Sequence, residues 1–352
     1  MSEVRRKPLL SVQYLRALAV LMVVFHHART DIPWLYNPLV HFHGGARGVD
    51  IFFVISGFIM YVAARDEPPA TFAWRRFVRV VPLYWAATTV LLLYHLASSD
   101  WAPATLATHY VKSMLFVPQW SLGIQGKIFP LLIPGWSLEY EMFFYLLFGV
   151  AIYARRLVPI VSAAIIVLVT AGAIFDFRSP VLISFTNPRL LALLAGVWIG
   201  VCYRRFTFRN MALALPVGLA LLLLFADAPP AWRTLLAAAI VVGALSLERS
   251  LPRLPRLKLL GDASYSIYLS HPFTLIFVDI AVKALPIQGV AQFATFMGLA
   301  LILCPSAGVI CHLLVERPLL NRLGAHIGGA RPAGSPPVPD GERRAPARVR
   351  IR

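Results

Sequence analysis

Charge is scarce in this chain. Only 14% of its 352 residues are Asp, Glu, Lys or Arg, against about 25% in an ordinary soluble domain. Acidic residues are the rarer kind, 16 against 33 Lys and Arg. Cysteine is nearly absent: Cys202, Cys304 and Cys311 lie in apolar runs, show neither metal-ligand spacing nor a disulfide framework, and read as packing residues. There is no glycine-rich phosphate loop, no metal-ligand cluster and no serine nucleophile elbow, so ATP-driven and metal-dependent chemistry have no support. No internal repeat favours an inverted-repeat transporter. Aromatic platforms on a soluble basic face are missing too, which sets nucleic acid aside as a partner despite the net charge of +17.

Long apolar runs are what the chain has instead. Hydrophobic residues make up 59% of it, in segments that are long enough to cross a bilayer and follow one another almost to the C-terminus. The expectation is an all-α, polytopic membrane helical bundle of about ten spans, over residues 11–28, 48–64, 80–99, 136–153, 157–175, 187–203, 210–227, 231–247, 263–283 and 289–314. The basic start at Arg5, Arg6 and Lys7 precedes an apolar core interrupted by Arg16, which reads as an uncleaved first span. With the N-terminus inside, 24 of the 33 basic residues fall on the inner side, so both termini are expected in the cytoplasm. The segment 100–135, with Trp101, Trp120 and several prolines, reads as interfacial or re-entrant. Residues 1–322 form the expected membrane domain. Residues 323–352, rich in Gly, Pro, Ala and Arg, carry too little apolar content to fold and read as a disordered basic tail, whose arginines suit an anionic lipid surface.

Ionisable residues inside such runs are costly and mark function by default. Arg16 and His27 share the first span. Eleven residues at about 100° each return His27 to within roughly 20° of Arg16, about 16 Å along one helix face. A neutral imidazole near the outer end can take a proton from an alcohol. The competing reading is a histidine that ties this span to another. Asp50, which opens the second span, and Glu141, early in the fourth, lie at the same expected depth. Either carboxylate could orient His27 and stabilise its protonated form. The structural alternative for Glu141 is an ion pair with an arginine. Glu139 falls on a different face and is the weaker of the two glutamates.

Arg75, Arg76 and Arg79 stand where the third span begins. Part of that charge is topogenic, as any inner loop requires. Arg76 and Arg79, however, converge at i, i+3 spacing, and arginine forks suit phosphate, so topology and the docking of an anionic cofactor are equally supported. Ser137, Glu141 and Tyr145 share one face of the fourth span. Ser264, Tyr268 and His271 share one face of the ninth, where Pro272 loosens the helix. Such polar faces also serve simply to bond one span to another.

Taken in order, these segments resemble acyltransferase family 3, the bacterial membrane O-acyltransferases. The signatures are Leu15-Arg16-Ala17 with ten residues between Arg16 and His27; Gly48 to Phe58; Arg76 and Arg79 before Pro82-Leu83-Tyr84-Trp85; Trp136-Ser137-Leu138 with Glu141; Ser264 to Leu269; and Val315-Glu316-Arg317-Pro318. The wording around Pro134-Gly135-Trp136 and Glu141 to Tyr145 is similar to the exopolysaccharide-production branch, including succinoglycan acetyltransferases. The resemblance covers roughly residues 9–320. It implies a ten-span bundle in the bacterial inner membrane. It also implies transfer of an acyl group, usually acetyl from acetyl-CoA, to a sugar hydroxyl of a polysaccharide or its lipid-linked precursor. Polysaccharide-assembly proteins are the implied partners, and a second transferase is compatible with the lack of an esterase-like domain after the tenth span. Carried over residue by residue, Arg16, His27, Arg76, Arg79 and Glu141 form the implied essential set. A flippase or transporter for a polysaccharide intermediate is the rival expectation, and turnover of acetyl-CoA separates the two. A polymerase using lipid-attached glycan is a third, disfavoured by the inward bias of the basic residues.

Overall fold

The computed structural model describes residues 9–29 and 32–328, with side chains to residue 323. Fourteen α-helices account for the architecture, and among the described residues there is no strand, only one isolated bridge between Trp120 and Ile128. The helices are α1 (Leu10–Ala28), α2 (Gly48–Ile59), α3 (Pro69–Ser98), α4 (Pro103–Met114), α5 (Gly135–Tyr153), α6 (Leu157–Ile174), α7 (Pro180–Phe185), α8 (Leu190–Arg205), α9 (Ala214–Leu224), α10 (Pro230–Ser246), α11 (Pro255–Asp262), α12 (Ser264–Lys283), α13 (Gly289–Cys311) and α14 (Arg317–Gly328). A π turn, Met60–Ala64, extends α2, and another, His312–Glu316, joins α13 to α14. Prolines open α3, α4, α7, α10 and α11, the position where a missing N–H leaves no helical bond unmade.

Among the described residues seven segments are long and apolar enough to cross a membrane: α1, Gly44–Ala64, α3, α6, Pro180–Arg205, α12 and Gly289–Leu323. Two shorter apolar helices, α9 and α10, lie among them. The fourth expected span, α5, has 19 residues and carries both Glu139 and Glu141. The third expected span begins earlier than its apolar pattern suggests. α3 starts at Pro69 and runs for 30 residues, so Arg75, Arg76 and Arg79 lie inside the helix rather than at its start. The segment after α3 forms α4 and a compact turn closed by the Trp120–Ile128 bridge. It is fastened from within by Gln119 Nε2, which donates to the His109 carbonyl at 2.8 Å. α14 runs through Gly328; the rest of the expected tail lies outside the described residues.

α1 is the central rod. It packs against α2, α10, α11, α12 and α13, and its buried side chains are mostly small or branched apolar ones such as Val12, Ala17, Ala19 and Val20. Two close approaches position what surrounds it. α2 meets α8 through Gly57 and Gly196: a Cβ on Gly57 would stand 1.9 Å from the Leu193 carbonyl oxygen, and one on Gly196 would stand 2.1 Å from that of Val54. Small residues let membrane helices come this close without any solvent-driven force. At the other side Gly261, near the end of α11, rests on the backbone of Gln13, where a Cβ would lie 2.1 Å from the carbonyl oxygen. That contact brings the start of α12 beside the first turns of α1.

Candidate active site

α1, α2, α3, α5 and α12 enclose a cavity of about 350 Å³. Arg16 from α1 and Arg76 and Arg79 from α3 line it, with Ser56 from α2, Ser137, Glu141 and Tyr145 from α5, and Ser264, Tyr265 and Tyr268 from α12. A second cavity, of about 430 Å³, adjoins it at Gln13, Arg16 and Arg79, which line both. Its other walls include Lys258, Asp262, His312, Glu316 and Arg317. The spacing explains the convergence. Arg76 and Arg79 are one turn apart on α3; Ser137, Glu141 and Tyr145 are successive turns of α5; Ser264 and Tyr268 are successive turns of α12.

Lys258 pairs with Asp262 at 2.5 Å in the wall of the second cavity, but among the described residues the three arginines of the first cavity have no such partner. Arg16 Nε donates to Ser264 Oγ at 3.1 Å. Arg76 stacks over Phe72, its Cζ 5.9 Å from the ring centroid, and its Nε has no partner. Among the described residues none of Arg16, Arg76 and Arg79 is in an ion pair. Glu141 instead accepts from Ser56 Oγ at 2.5 Å. Glu316 accepts from Ser266 Oγ at 2.6 Å and lies 2.8 Å from His312 Nδ1. Three guanidinium groups therefore face enclosed space with donors to spare. An anion is what such a set accepts, and phosphate fits the fork geometry best. The tyrosine side of the cavity is bonded internally: Tyr268 Oη is 2.7 Å from Ser137 Oγ and 2.9 Å from the Pro134 carbonyl oxygen, and Tyr265 Oη donates to the Val80 carbonyl at 2.6 Å.

His27 sits two turns above Val20 near the far end of α1, half-buried. Its Nδ1 donates to the Val23 carbonyl at 2.9 Å. Its ring lies 4.8 Å from that of His271 and 5.3 Å from that of His26, centroid to centroid. Arg16 touches Ser264 and His27 touches His271, so both face α12, as their shared helix face requires. His27 is not in the cavity wall itself; it reaches it through His271, whose ring is 6.0 Å from that of Tyr268.

Two expected placements are corrected. Asp50 is not bonded to His27. Arg47, three residues earlier, takes its Oδ2 at 3.2 Å, because an i, i+3 partner on the same turn wins over one on another helix. Arg75 does not join Arg76 and Arg79. It points outward from α3 and pairs with Glu67 at 2.5 Å on the surface, since one residue of rotation turns it about 100° from Arg76. Glu141 also leaves His27 without a carboxylate, being held by Ser56. Glu139, by contrast, is buried away from the cavity, and neither of its side-chain oxygens has a partner. Ser56, Gln13, Tyr265 and the Glu316–His312 pair were not picked out as site residues. Ser56, Tyr265 and Glu316 lie inside segments that carry the family resemblance without standing out there as site residues; for Gln13, a neutral side chain in the first span, there was no signal. Among the described residues no group of three or more His, Cys, Asp or Glu gathers as metal ligands would.

Comparison with known proteins identifies the family. The chain is 37% identical over 303 residues to the exopolysaccharide production protein ExoZ of Rhizobium meliloti, covering 80% of this chain and 92% of the relative. It is 26% identical to the acyltransferase MdmB of Streptomyces mycarofaciens, over 84% of this chain and 85% of the relative. It is 26% identical to the O-acetyltransferase OatA of Staphylococcus aureus, over 75% of this chain and 50% of that protein. No solved structure matches. With the acyltransferase-domain profile matching residues 9–309, the chain belongs to acyltransferase family 3 and is an acyltransferase related to exopolysaccharide-production proteins.

Proposed function

We propose that this acyltransferase moves an acetyl group from acetyl-CoA to a sugar hydroxyl of an exopolysaccharide or its lipid-linked precursor, as a ten-span protein of the bacterial inner membrane with both termini in the cytoplasm. One observation supports the donor side of the reading: Arg16, Arg76 and Arg79 line two adjoining cavities and, among the described residues, none of them is in an ion pair. Acetyl-CoA brings the missing anion as its phosphates. In this reading Arg79 and Arg16, shared by both cavities, hold the phosphates at the cytoplasmic end. The acyl-pantetheine arm then follows α1 and α12 toward Tyr268, where the thioester meets the acceptor.

His27 is the general base. The acceptor hydroxyl gives its proton to His27, its oxygen attacks the thioester carbonyl, and CoA leaves as the thiol. Glu141, fixed by Ser56, sets the field in the cavity that Arg16, Arg76 and Arg79 line. The acceptor arrives at the far end of α1, beside His27, so donor and acceptor enter from opposite faces. The glycan, with the assembly proteins that present it, is the partner on that side.

The test is direct. Purified protein in lipid nanodiscs, given radiolabelled acetyl-CoA and a deacetylated exopolysaccharide oligosaccharide, is expected to release CoA thiol and label the sugar one for one. Thiol release without labelled sugar, or neither, would overturn the proposal.

A further inference from the structure

The cavity that holds the arginines has two unlike ends. Val49 and Met60 both line it. They are eleven residues apart along α2 and its π extension, so the cavity follows that helix for about 16 Å. Arg16 and Ser264, bonded to each other, mark the arginine end. One turn further along α12, Tyr268 marks the other. Its ring meets that of Phe52 edge to face, 6.3 Å between centroids. Its Oη lies 2.7 Å from Ser137 Oγ and donates to the Pro134 carbonyl at 2.9 Å. Val49, one turn before Phe52, and Leu138, next to Ser137, complete an end that is apolar, with its hydroxyls bonded to neighbours.

In the reading above the donor's phosphates rest on Arg16 and Arg79. From phosphorus to sulfur the pantetheine arm is a chain of about thirteen bonds, and an extended chain gains roughly 1.2 Å per bond, so the arm reaches about 15 Å. That matches the length of the cavity. A donor anchored by its phosphates therefore brings its sulfur to the apolar end, and the acyl group is what meets the end wall. We infer that Phe52 and Tyr268 are specificity-determining residues for the acyl group: they close the cavity just beyond the sulfur, so that acetyl fits against them and longer linear acyl chains do not. This rests on the reading of the chain as an acyl-CoA-dependent transferase.

The wall is built not to yield. Swinging Tyr268 aside breaks its bonds to Ser137 and Pro134 and leaves a buried hydroxyl unpaired, which costs more than the bond itself is worth. Phe52 leans on that fixed ring. The next ring along α2, Phe53, is held edge to face by Trp136 at 6.2 Å, so the layer behind is occupied as well. Extra methylenes pushed into such packing force side chains off their rotamers. The surface suits an aliphatic chain by chemistry and refuses it by volume.

The experiment measures kcat/KM for acetyl-, propanoyl-, butanoyl- and hexanoyl-CoA with one sugar acceptor, for the full chain in lipid nanodiscs. The variants are Phe52→Ala, Tyr268→Leu and, as a control, Val12→Ala, which enlarges the same cavity one turn before Arg16. A ratio between donors within one preparation does not depend on how much of it is folded. The wild type is expected to prefer acetyl over butanoyl by about 100-fold or more. Phe52→Ala and Tyr268→Leu should each narrow that preference by at least about 10-fold, while Val12→Ala keeps it within about threefold. Equal use of acetyl and butanoyl by the wild type, an unmoved preference in Phe52→Ala or Tyr268→Leu, or the same narrowing in Val12→Ala would overturn the inference. Should Phe52→Ala fail to accumulate in membranes, Phe52→Leu takes its place, with a smaller shift in the same direction. Lack of transfer by the wild type from all four donors would sink the acyl-CoA reading instead, an outcome distinct from transfer without a length preference.

Discussion

The arginines at the two ends of α1 live in opposite circumstances. At the far end Arg29 donates to the Leu39 and Val40 carbonyls and meets the rings of His26 and His43 at 3.0 and 3.1 Å. Arg47 beside it is matched by Asp50. These cations are bonded by neighbouring groups, with the buried Nε of each left without a partner, and tie α1 to the segment that leads into α2. At the near end Arg16, Arg76 and Arg79 have one hydroxyl and one aromatic face among them. A half-buried guanidinium without a counter-charge is costly, and three of them line one cavity here; on the proposed reading the donor's phosphates supply the missing charge. If the proposed reading holds, partner count sorts structural cations from binding ones, where composition alone cannot.

The comparison breaks most visibly at His27, which stands at the structural end yet has only its own backbone and two other imidazoles around it. His27→Ala is expected to lower kcat by about 10³-fold, the usual weight of a positioned general base, at unchanged abundance in the membrane. A rate within threefold of wild type removes it from the chemistry. Next in size is the Arg47–Asp50 pair. Their side chains are 13% and 10% exposed, so Asp50→Ala leaves a largely buried cation unpaired, and a loss of about 3 kcal/mol in stability is expected. Replacing both with apolar residues, Arg47→Met with Asp50→Leu, should recover most of it. Transfer per folded molecule should stay unchanged in both, as measured by activity normalised to the correctly inserted protein. A selective loss of turnover in the double variant would return Asp50 to the catalytic group.

At the binding end the prediction has a different form. On the proposed reading, Arg79→Gln and Arg76→Gln each remove a charged phosphate contact and, at the same time, an unpaired half-buried charge. Affinity for acetyl-CoA should fall about 10- to 100-fold, roughly 1.4–2.7 kcal/mol, while the thermal midpoint without donor holds or rises. Binding titrations and melting curves on the same samples check both halves. A fall in melting temperature with unaltered affinity would make these arginines structural and erase the contrast between the two ends.

How much of this was legible beforehand follows from what each pattern encodes. The helices were readable because an apolar run of bilayer length has few other solutions. Arg16 and His27 were readable because ionisable residues stand out against such runs, and their common face followed from the helical repeat alone. The partners were not readable. Asp50 and Glu141 both lie where a carboxylate for His27 was expected, and the choice between them was settled by neighbours on other turns: Arg47 one turn back and Ser56 on a facing helix. The meeting of His27 with His271 depends on how α1 and α12 cross, set by Gly261 and similar contacts, which no periodicity reports. The early start of α3 was hidden because its first turns are polar and basic, a pattern that reads as a loop until Pro69 is recognised as a helix opening.

Arg75 provides the smallest effect and the cleanest control. It shares a helix and a charge with Arg76 and Arg79, and from the sequence the three were one cluster. In the structure its partner is Glu67, with the arginine side chain 44% exposed and the glutamate 15%. An exposed ion pair contributes about 0–1 kcal/mol and weakens with salt. Arg75→Ala should therefore leave the donor affinity within a factor of two, move the melting temperature little, and show no more effect at low ionic strength than at high beyond that margin. If instead it weakens acetyl-CoA binding as much as Arg79→Gln does, phosphate recognition extends onto the outer surface of α3. The rule that separates the two ends of α1 by the partners of their arginines would then fail within a single helix, at the one arginine of the three whose counter-ion is already in place.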